Sequence, residues 1–319
     1  MRILVAGRTG QIGWELERAL VGFGEVIAAD RRLMDLSNVD SIRSAICEVR
    51  PDVIVNAAAY TDVDGAETNP DLAMAINAIA PRIIAEEAGR LDAAVVHYST
   101  DYIFDGSKNS PYDEDDSPNP LNAYGRTKLA GEEAIRKACI PHLIFRVSWI
   151  YGARRQNFLV KLLRLAEEQS EVRVVDDQIG TPCWCRMVAQ VTTSALVRCC
   201  QEEDHSVCNL SRLSGTYNLT AGGQTTRYGF AVAILERLRE LSAARFKDSA
   251  LSPWARARLV PVSTRDVPRA ALRPRNSTLC GRKLADAFGI DIPDWREGLC
   301  GCLSDFLEYG TRPSDMRHS

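Results

Sequence analysis

Hydrophobic residues in the first half of the chain alternate between short continuous runs and longer stretches with helical spacing. The short runs predict buried strands at residues 3–6, 26–29, 53–56, 94–98 and 143–147. Between successive strands, apolar positions recur every three or four residues, which predicts helices at residues 11–21, 39–49, 71–90 and 121–137. This alternation is typical of an α/β fold with a doubly wound parallel sheet, the Rossmann arrangement.

The pattern becomes less regular after residue 150. It predicts helices near residues 157–169, 187–199 and 228–241 and a strand at residues 172–175, separated by turn-rich links. We therefore predict a dinucleotide-binding Rossmann domain over residues 1–150 and a smaller mixed α/β substrate-binding domain over residues 151–310. Part of the second segment is expected to return to the first domain, and residues 311–319 are expected to form a tail.

Composition favours small-molecule chemistry. The 319 residues are 45% hydrophobic with a net charge of -3, so there is no broad basic surface, and neither nucleic acid nor an anionic membrane is an expected partner. No apolar run is long enough to span a membrane and no signal peptide is evident, so we expect a cytoplasmic protein. The ten cysteines are scattered, and we expect reduced thiols without a structural metal.

A glycine-rich loop follows the first predicted strand and opens the first helix. It contains Gly7, Gly10 and Gly13, with Gln11 and Ile12 at the helix start. Glycines permit a tight turn and a close approach to a pyrophosphate, while the helix N-terminus offers free N–H groups. In this strand–loop–helix context the motif predicts dinucleotide binding.

Residues at the ends of the second and third strands are further candidates for cofactor binding. Asp30 stands where an acidic residue can meet the ribose hydroxyl, which favours NADH. Arg31 follows and can meet a 2′-phosphate, so NADPH stays open. Asp35 and Leu36 can flank the adenine. The third strand ends in small residues that permit close approach of the cofactor or of a helix, namely Ala57, Ala58 and Ala59.

Three side chains suggest the reacting centre. Thr100 ends the fourth strand, where its hydroxyl can donate to a substrate carbonyl or cap a local turn. Tyr124 and Lys128 lie four residues apart in a predicted helix and therefore share one face. A nearby ammonium would lower the pKa of the phenol toward neutrality, as a general acid requires. Alone, the pair is equally compatible with a ring packed on a lysine stem.

Several longer motifs carry a family resemblance. They are Gly-Arg-Thr-Gly-Gln-Ile-Gly at 7–13, Ser-Thr-Asp-Tyr-Ile-Phe-Asp-Gly at 99–106, Tyr-Gly-Arg-Thr-Lys-Leu-Ala-Gly-Glu at 124–132, Arg-Val-Ser-Trp-Ile-Tyr-Gly at 146–152, Asp-Gln-Ile-Gly-Thr-Pro at 177–182 and Arg-Pro-Arg-Asn-Ser at 273–277. With them the chain resembles the extended short-chain dehydrogenase/reductases, and among these the dTDP-4-dehydrorhamnose reductase family. The resemblance implies NADPH- or NADH-dependent reduction of the C4 ketone of a nucleotide sugar, dTDP-4-dehydro-L-rhamnose.

The resemblance also implies roles for individual residues. Tyr124 would donate the proton, Lys128 would tune its pKa and anchor the nicotinamide ribose, and Thr100 would polarise the carbonyl. Further residues implied at the cofactor are Tyr60, Thr61 and Tyr98. Those implied at the substrate are Asp101 and Trp149 for the deoxysugar and Arg273 and Asn276 for the diphosphate or its surroundings.

One departure from the family concerns a metal. The resemblance implies that members dimerising around Mg²⁺ use three glutamates, of which Glu15 matches the first. Arg186 and Arg296 stand at the other two positions, and arginine cannot ligate a hard cation. Glu297 is the nearest substitute if the alignment slips by one. We predict no metal and a monomer or metal-independent homodimer, with Arg186 or Arg296 pairing with Glu15 of the partner if a dimer forms.

Two alternatives remain open. The chain can be a reductase or epimerase of another nucleotide-linked sugar, because the reacting groups would be shared. It can also be a non-catalytic nucleotide-binding regulatory subunit, similar to that of methionine adenosyltransferase. The intact set of Thr100, Tyr124 and Lys128 argues against a non-catalytic role.

Overall fold

The fold is built around a six-stranded parallel sheet. The computed structural model describes residues 1–200, 210–245, 254 and 257–309, so the predicted tail at 311–319 lies outside the described residues. The sheet strands are β1 (Arg2–Ala6), β2 (Glu25–Ala29), β3 (Val53–Asn56), β4 (Ala94–Thr100), β5 (His142–Val147) and β10 (Gly215–Leu219). Their order is β10-β5-β4-β3-β1-β2, which confirms the predicted fold class.

Helices cover both faces of the sheet. In the first half they are α1 (Gln11–Ala19), α2 (Val39–Val49), α3 (Gly65–Thr68), α4 (Pro70–Met74), α5 (Ala80–Arg90) and α6 (Ala123–Lys137). Strand residues alternate between the two layers because successive side chains point to opposite faces. Ile3 and Val5 pack in one core, whereas Leu4 and Ala6 pack in the other.

The second half adds shorter strands and the remaining described helices. These elements are β6 (Ile150–Tyr151), α7 (Phe158–Glu168), β7 (Glu171–Val175), β8 (Ile179–Gly180), β9 (Cys183–Trp184), α8 (Cys185–Cys200), β11 (Thr225–Thr226), α9 (Arg227–Arg245), β12 (Arg258–Val262), α10 (Arg282–Phe288) and α11 (Trp295–Tyr309). The small strands pair two by two, β7 with β12, β8 with β11 and β6 with β9. All helices predicted in this half are present, with ends shifted by a few residues.

The sequence analysis missed strand β10. It extends the sheet beside β5, with Asn218 opposite Arg146. Asn218 is buried, and its side-chain amide donates to the backbone carbonyl of Tyr112 at 2.9 Å. A polar residue in this position interrupts the apolar run that would have predicted a buried strand.

A π-helical turn, Ala75–Ile79, interrupts the long predicted helix at residues 71–90. The turn directs the buried side chain of Asn77 inward, where Oδ1 accepts from the backbone N–H of Tyr60 at 2.9 Å. Nδ2 of Asn77 donates to the Tyr60 carbonyl and to Oγ1 of Thr127, both at 3.1 Å. The bulge therefore ties the chain after β3 to helix α6.

Two further expectations can be compared with the structure. Among the residues that the structure describes, eight cysteines are free and Cys200 is disulfide-bonded, so the expectation of reduced thiols is wrong at that residue. In the part of the chain that the structure describes, none of the helices combines the length and apolar character needed to cross a bilayer.

Candidate active site

A cavity of about 560 Å³ opens beyond the carboxyl ends of the central strands. This is where ligands bind in open parallel sheets. Predicted site residues that line it are Gly7, Gly10, Gln11, Ile12, Ala57, Ala58, Ala59, Thr61, Tyr98, Thr100, Asp101, Tyr124, Lys128 and Trp149. Candidates from five separate segments of the sequence therefore meet in one cavity.

The glycine loop has the shape that a pyrophosphate requires. Gly7 has a φ of +87°, and a Cβ added there would lie 2.8 Å from the backbone N of Ala58. A Cβ on Gly13, which lies beneath the loop and does not line the cavity, would lie 2.1 Å from the Gly7 carbonyl oxygen. Gly10 caps α1 without a side-chain hydrogen bond, so the first N–H groups of the helix are available to an anion.

Five predicted cofactor residues beyond the glycine loop lie outside the cavity. Asp30 accepts from the backbone N–H groups of Arg32 and Leu33, at 2.9 and 3.3 Å, and these bonds hold the pKa of its carboxyl below the usual value. Arg31 is exposed and pairs with Asp35 at 3.1 Å. Leu36 is buried in a core cluster of the sheet. Tyr60 does not line the cavity either, and it packs against a small cluster formed by Ala66, Ala73 and Ala123.

Tyr124 and Lys128 lie one turn apart on α6, as predicted, and both face the cavity. The expected lowering of the Tyr124 pKa is wrong for this structure. Burial raises the pKa of the phenol, a side-chain hydrogen bond with Thr100 opposes that effect, and Lys128 is not among the groups that shift it. Sequence spacing alone could not show how completely the ring is buried.

The ammonium of Lys128 is directed at the end of β4. Nζ donates to the backbone carbonyl of Tyr98 at 2.5 Å and lies 3.3 Å from Nε2 of His97. Burial and the Lys128 charge keep the pKa of His97 well below its usual value, so the imidazole is neutral and can accept this bond. Burial lowers the pKa of Lys128 to about 8.

Thr100 and Asp101 form the floor of the cavity. Oγ1 of Thr100 donates to Oδ1 of Asp101 at 3.1 Å and accepts from the backbone N–H of Tyr102 at 3.2 Å. Ser148 donates to Oδ2 of Asp101 at 3.0 Å. Burial raises the pKa of Asp101 to about 6, against these hydrogen bonds. Thr100 thus caps a turn and also faces the cavity.

Trp149 forms a wall of the cavity together with an arginine that sequence analysis missed. The Trp149 backbone has a φ of +42°, and its indole N–H donates to Oγ of Ser277 at 3.1 Å. The guanidinium of Arg227 lies 3.5 Å from the centroid of the Trp149 ring. Residues 155–158 also line the cavity and were missed. No local motif marks these positions, because tertiary packing brings them together.

Arg273 and Asn276, predicted near the diphosphate, do not line the cavity. Arg273 forms two hydrogen bonds of 2.7 Å with the carboxylate of Asp64. Asn276 donates to the backbone carbonyl of Lys108 at 2.7 Å and accepts from Thr278. Their side chains hold two turns together.

At the position where the resemblance implies a metal in other family members, this chain has ion pairs. Arg186, on α8, donates to Glu15 of the same chain at 3.1 Å and to Asp305 at 2.5 Å. Arg296 is exposed and pairs with Asp294. The pairing of Glu15 predicted across a dimer thus occurs within one chain. A guanidinium repels a divalent cation and offers it no lone pair, so these residues do not fit Mg²⁺.

The parallel sheet, the glycine loop and the Thr100, Tyr124 and Lys128 set together define a dinucleotide-dependent reductase of the short-chain dehydrogenase class. The family model described as the RmlD substrate binding domain matches residues 1–308. The chain belongs to the dTDP-4-dehydrorhamnose reductase family, as similarity to curated and solved members shows.

A dTDP-4-dehydrorhamnose reductase of Burkholderia thailandensis is 42% identical over 307 residues, which cover 96% of this chain and 99% of that protein. The solved dTDP-4-dehydrorhamnose reductase of Clostridium acetobutylicum superimposes with a TM-score of 0.83 at 34% identity, covering 97% of this chain and 100% of that one. That of Bacillus anthracis, in complex with NADP, gives a TM-score of 0.81 at 32% identity, covering 95% and 99%. Full-length similarity of this kind covers the sheet and the second half alike.

Proposed function

We propose that this protein reduces the C4 ketone of dTDP-4-dehydro-L-rhamnose to dTDP-L-rhamnose with NAD(P)H, the reduction step of dTDP-rhamnose biosynthesis. Its family membership and the NADP complex of the Bacillus anthracis relative support the assignment. The observation that carries it is the meeting of Thr100, Tyr124 and Lys128 in the cavity that also contains the glycine loop.

Residues of the cavity fit a dinucleotide. The N-terminus of α1 and the loop at Gly7 and Gly10 would hold the pyrophosphate, while Ala57, Ala58 and Ala59 leave room beside it. Lys128 would hold the nicotinamide ribose. Bound NAD(P)H supplies the hydride that reduces the carbonyl carbon.

Tyr124 has the protonation state that ketone reduction requires. Because burial raises the pKa of its phenol, the hydroxyl keeps its proton at neutral pH. As hydride reaches C4, negative charge develops on the carbonyl oxygen, and Tyr124 delivers its proton there to complete the alcohol.

Thr100 and Asp101 orient the ketone. The Thr100 hydroxyl now donates to Asp101, and by rotating it can donate to the substrate oxygen and stabilise the developing charge. The Asp101 carboxylate then accepts from a sugar hydroxyl, while the Trp149 ring supports an apolar face of the deoxysugar. The Ser148 and Ser277 hydroxyls keep Asp101 and Trp149 in place.

We further propose the two-domain division, with residues 1–150 binding the cofactor and residues 151–310 mainly the substrate. Arg227 and residues 155–158 line the cavity from the second half, which supports this division. We also propose a monomer or a metal-independent homodimer, because Arg186 already neutralises Glu15 within one chain.

A direct assay tests the reaction. We expect NADH or NADPH oxidation that depends on dTDP-4-dehydro-L-rhamnose, with dTDP-L-rhamnose identified by NMR as the product. Activity only with another nucleotide-linked 4-ketosugar would replace the proposed substrate. No ketone-dependent oxidation, together with a stable stoichiometric protein partner, would favour a regulatory subunit.

A further inference from the structure

Arg227 places a guanidinium in the active-site cavity at the first residue of α9. The group lies 3.5 Å from the ring centroid of Trp149 and 5.6 Å from that of Phe158. The tryptophan is itself fixed, because its N–H binds Ser277 and its ring lies so close to Gly180 that a Cβ there would be 2.3 Å away. The cation is therefore held on a rigid aromatic support.

The charge of Arg227 is incompletely neutralised. Among the residues that the structure describes, no carboxylate forms an ion pair with it. Asp101 and Tyr102 exert electrostatic effects on it, yet the Asp101 oxygens already accept from Thr100 and Ser148. Taking a guanidinium partly out of water without a bound counter-ion is unfavourable, so an anionic ligand is expected to bind beside it.

Other arginines near the cavity are less suited to bind such a ligand. Arg273 lies outside the cavity lining and is neutralised by both oxygens of Asp64. Arg155 lines the cavity at its exposed rim, next to the segment that bonds Gln11 of the cofactor loop through Asn157. Arg227 lies instead in the wall formed by Trp149, with its guanidinium 3.5 Å from the centroid of that ring.

We propose that Arg227 binds the diphosphate of the nucleotide-sugar substrate, an inference that rests on the proposed function of the same site. In a hexose the C1 substituent lies across the ring from C4. When the C4 oxygen meets Thr100 and Tyr124, the diphosphate on C1 is therefore displaced from the reacting hydroxyls by one sugar ring. Arg227 lines the same cavity from a wall where no carboxylate among the described residues forms an ion pair with it, and its guanidinium is stacked on the Trp149 ring. Its planar fork matches two phosphate oxygens.

Binding measurements on Arg227→Met test the inference without turnover. Isothermal titration would use dTDP, thymidine, inorganic pyrophosphate and NADPH as separate probes. We expect dTDP affinity to fall about 10- to 100-fold, the effect of losing hydrogen bonds to a charged group. Thymidine and NADPH affinities should be unchanged, and pyrophosphate should compete with dTDP in the wild type but not in the variant. Arg227→Lys should restore part of the affinity.

Arg275→Met is the matched control, because it removes an exposed arginine from a nearby turn and should leave dTDP binding intact. Unchanged dTDP affinity in Arg227→Met would overturn the inference, and so would an equal loss for thymidine and NADPH. If Arg227→Met does not fold, Arg227→Lys with wild-type dTDP affinity at both low and high salt would also overturn it. A protein that binds dTDP through Arg227 but reduces no ketosugar would refute the proposed reaction alone.

Discussion

Nζ of Lys128 lies 2.5 Å from the backbone carbonyl oxygen of Tyr98, to which it donates a hydrogen bond. This bond turns the ammonium toward the end of β4, and burial of the lysine lowers its pKa to about 8. The Tyr124 phenol one turn away stays protonated because burial raises its pKa. The site thus stores a proton on Tyr124 and a positive charge on Lys128 at neutral pH.

The lowered pKa of Lys128 predicts a pH-dependent stability. Below pH 8 Lys128 is charged in both the folded and the unfolded protein, so the full cost of burying the charge destabilises the fold. As pH rises from about 8 toward the ordinary pKa of 10.5, the folded protein loses this proton first and the cost disappears. Wild type should therefore gain stability relative to Lys128→Met over that interval, by up to about 3 kcal/mol. Urea unfolding of both proteins from pH 7 to pH 10 measures the difference, with the exposed Lys161→Met as control. A difference independent of pH would contradict a buried, charged Lys128.

Asp101 predicts an inflection in the activity profile. Its pKa of about 6 means that the carboxylate is ionised above pH 6 and neutral below. Because only the ionised form accepts hydrogen bonds from sugar hydroxyls on both oxygens, kcat/KM should fall about tenfold per pH unit below 6. Asp101→Asn should be less active and lack this inflection between pH 5 and pH 7. The same inflection in the variant would assign it to another group.

Asn77 is predicted to hold residues 57–61 in place beside the cofactor. Removal of its three hydrogen bonds to Tyr60 and Thr127 in Asn77→Ala should cost about 1–3 kcal/mol of unfolding free energy. Because the chain at residues 57–61 is then released, the KM for NADPH should rise several-fold while kcat changes less. Asn69→Ala, at an exposed helix start, should change neither. If the KM for NADPH were unaltered in Asn77→Ala, the π-helical turn would contribute to stability but not to cofactor binding.

Arg186 is predicted to stabilise the fold in place of a metal. Arg186→Met leaves Glu15, which is 8% exposed, without its counter-ion and should cost about 1–3 kcal/mol. Arg296→Met removes an exposed arginine and should cost less than about 0.5 kcal/mol. Thermal unfolding gives both values. Light scattering of the wild type should show one molecular mass with magnesium and with chelator, and a magnesium-dependent dimer would refute the prediction.

Local sequence predicted the sheet and the reacting residues but not their electrostatics. Most positions of strands β1 to β5 are apolar, whereas the buried Asn218 interrupts the apolar pattern of β10, and its Nδ2 finds an acceptor in Tyr112 from a distant segment. The sequence placed Arg273 at a phosphate, but only the fold brings Asp64 to it. Arg227 meets Trp149 only through tertiary packing. The pKa of Tyr124 likewise depends on burial, which spacing cannot reveal.

The central claim is that Tyr124 donates the proton to the sugar ketone, and Tyr124→Phe tests it most directly. The change deletes the phenolic hydroxyl and keeps the ring against its neighbours. Measured with dTDP-4-dehydro-L-rhamnose and NADPH, kcat should fall about 10²- to 10⁴-fold, while the NADPH dissociation constant from fluorescence titration stays nearly constant. Turnover as fast as that of the wild type would show that another group supplies the proton.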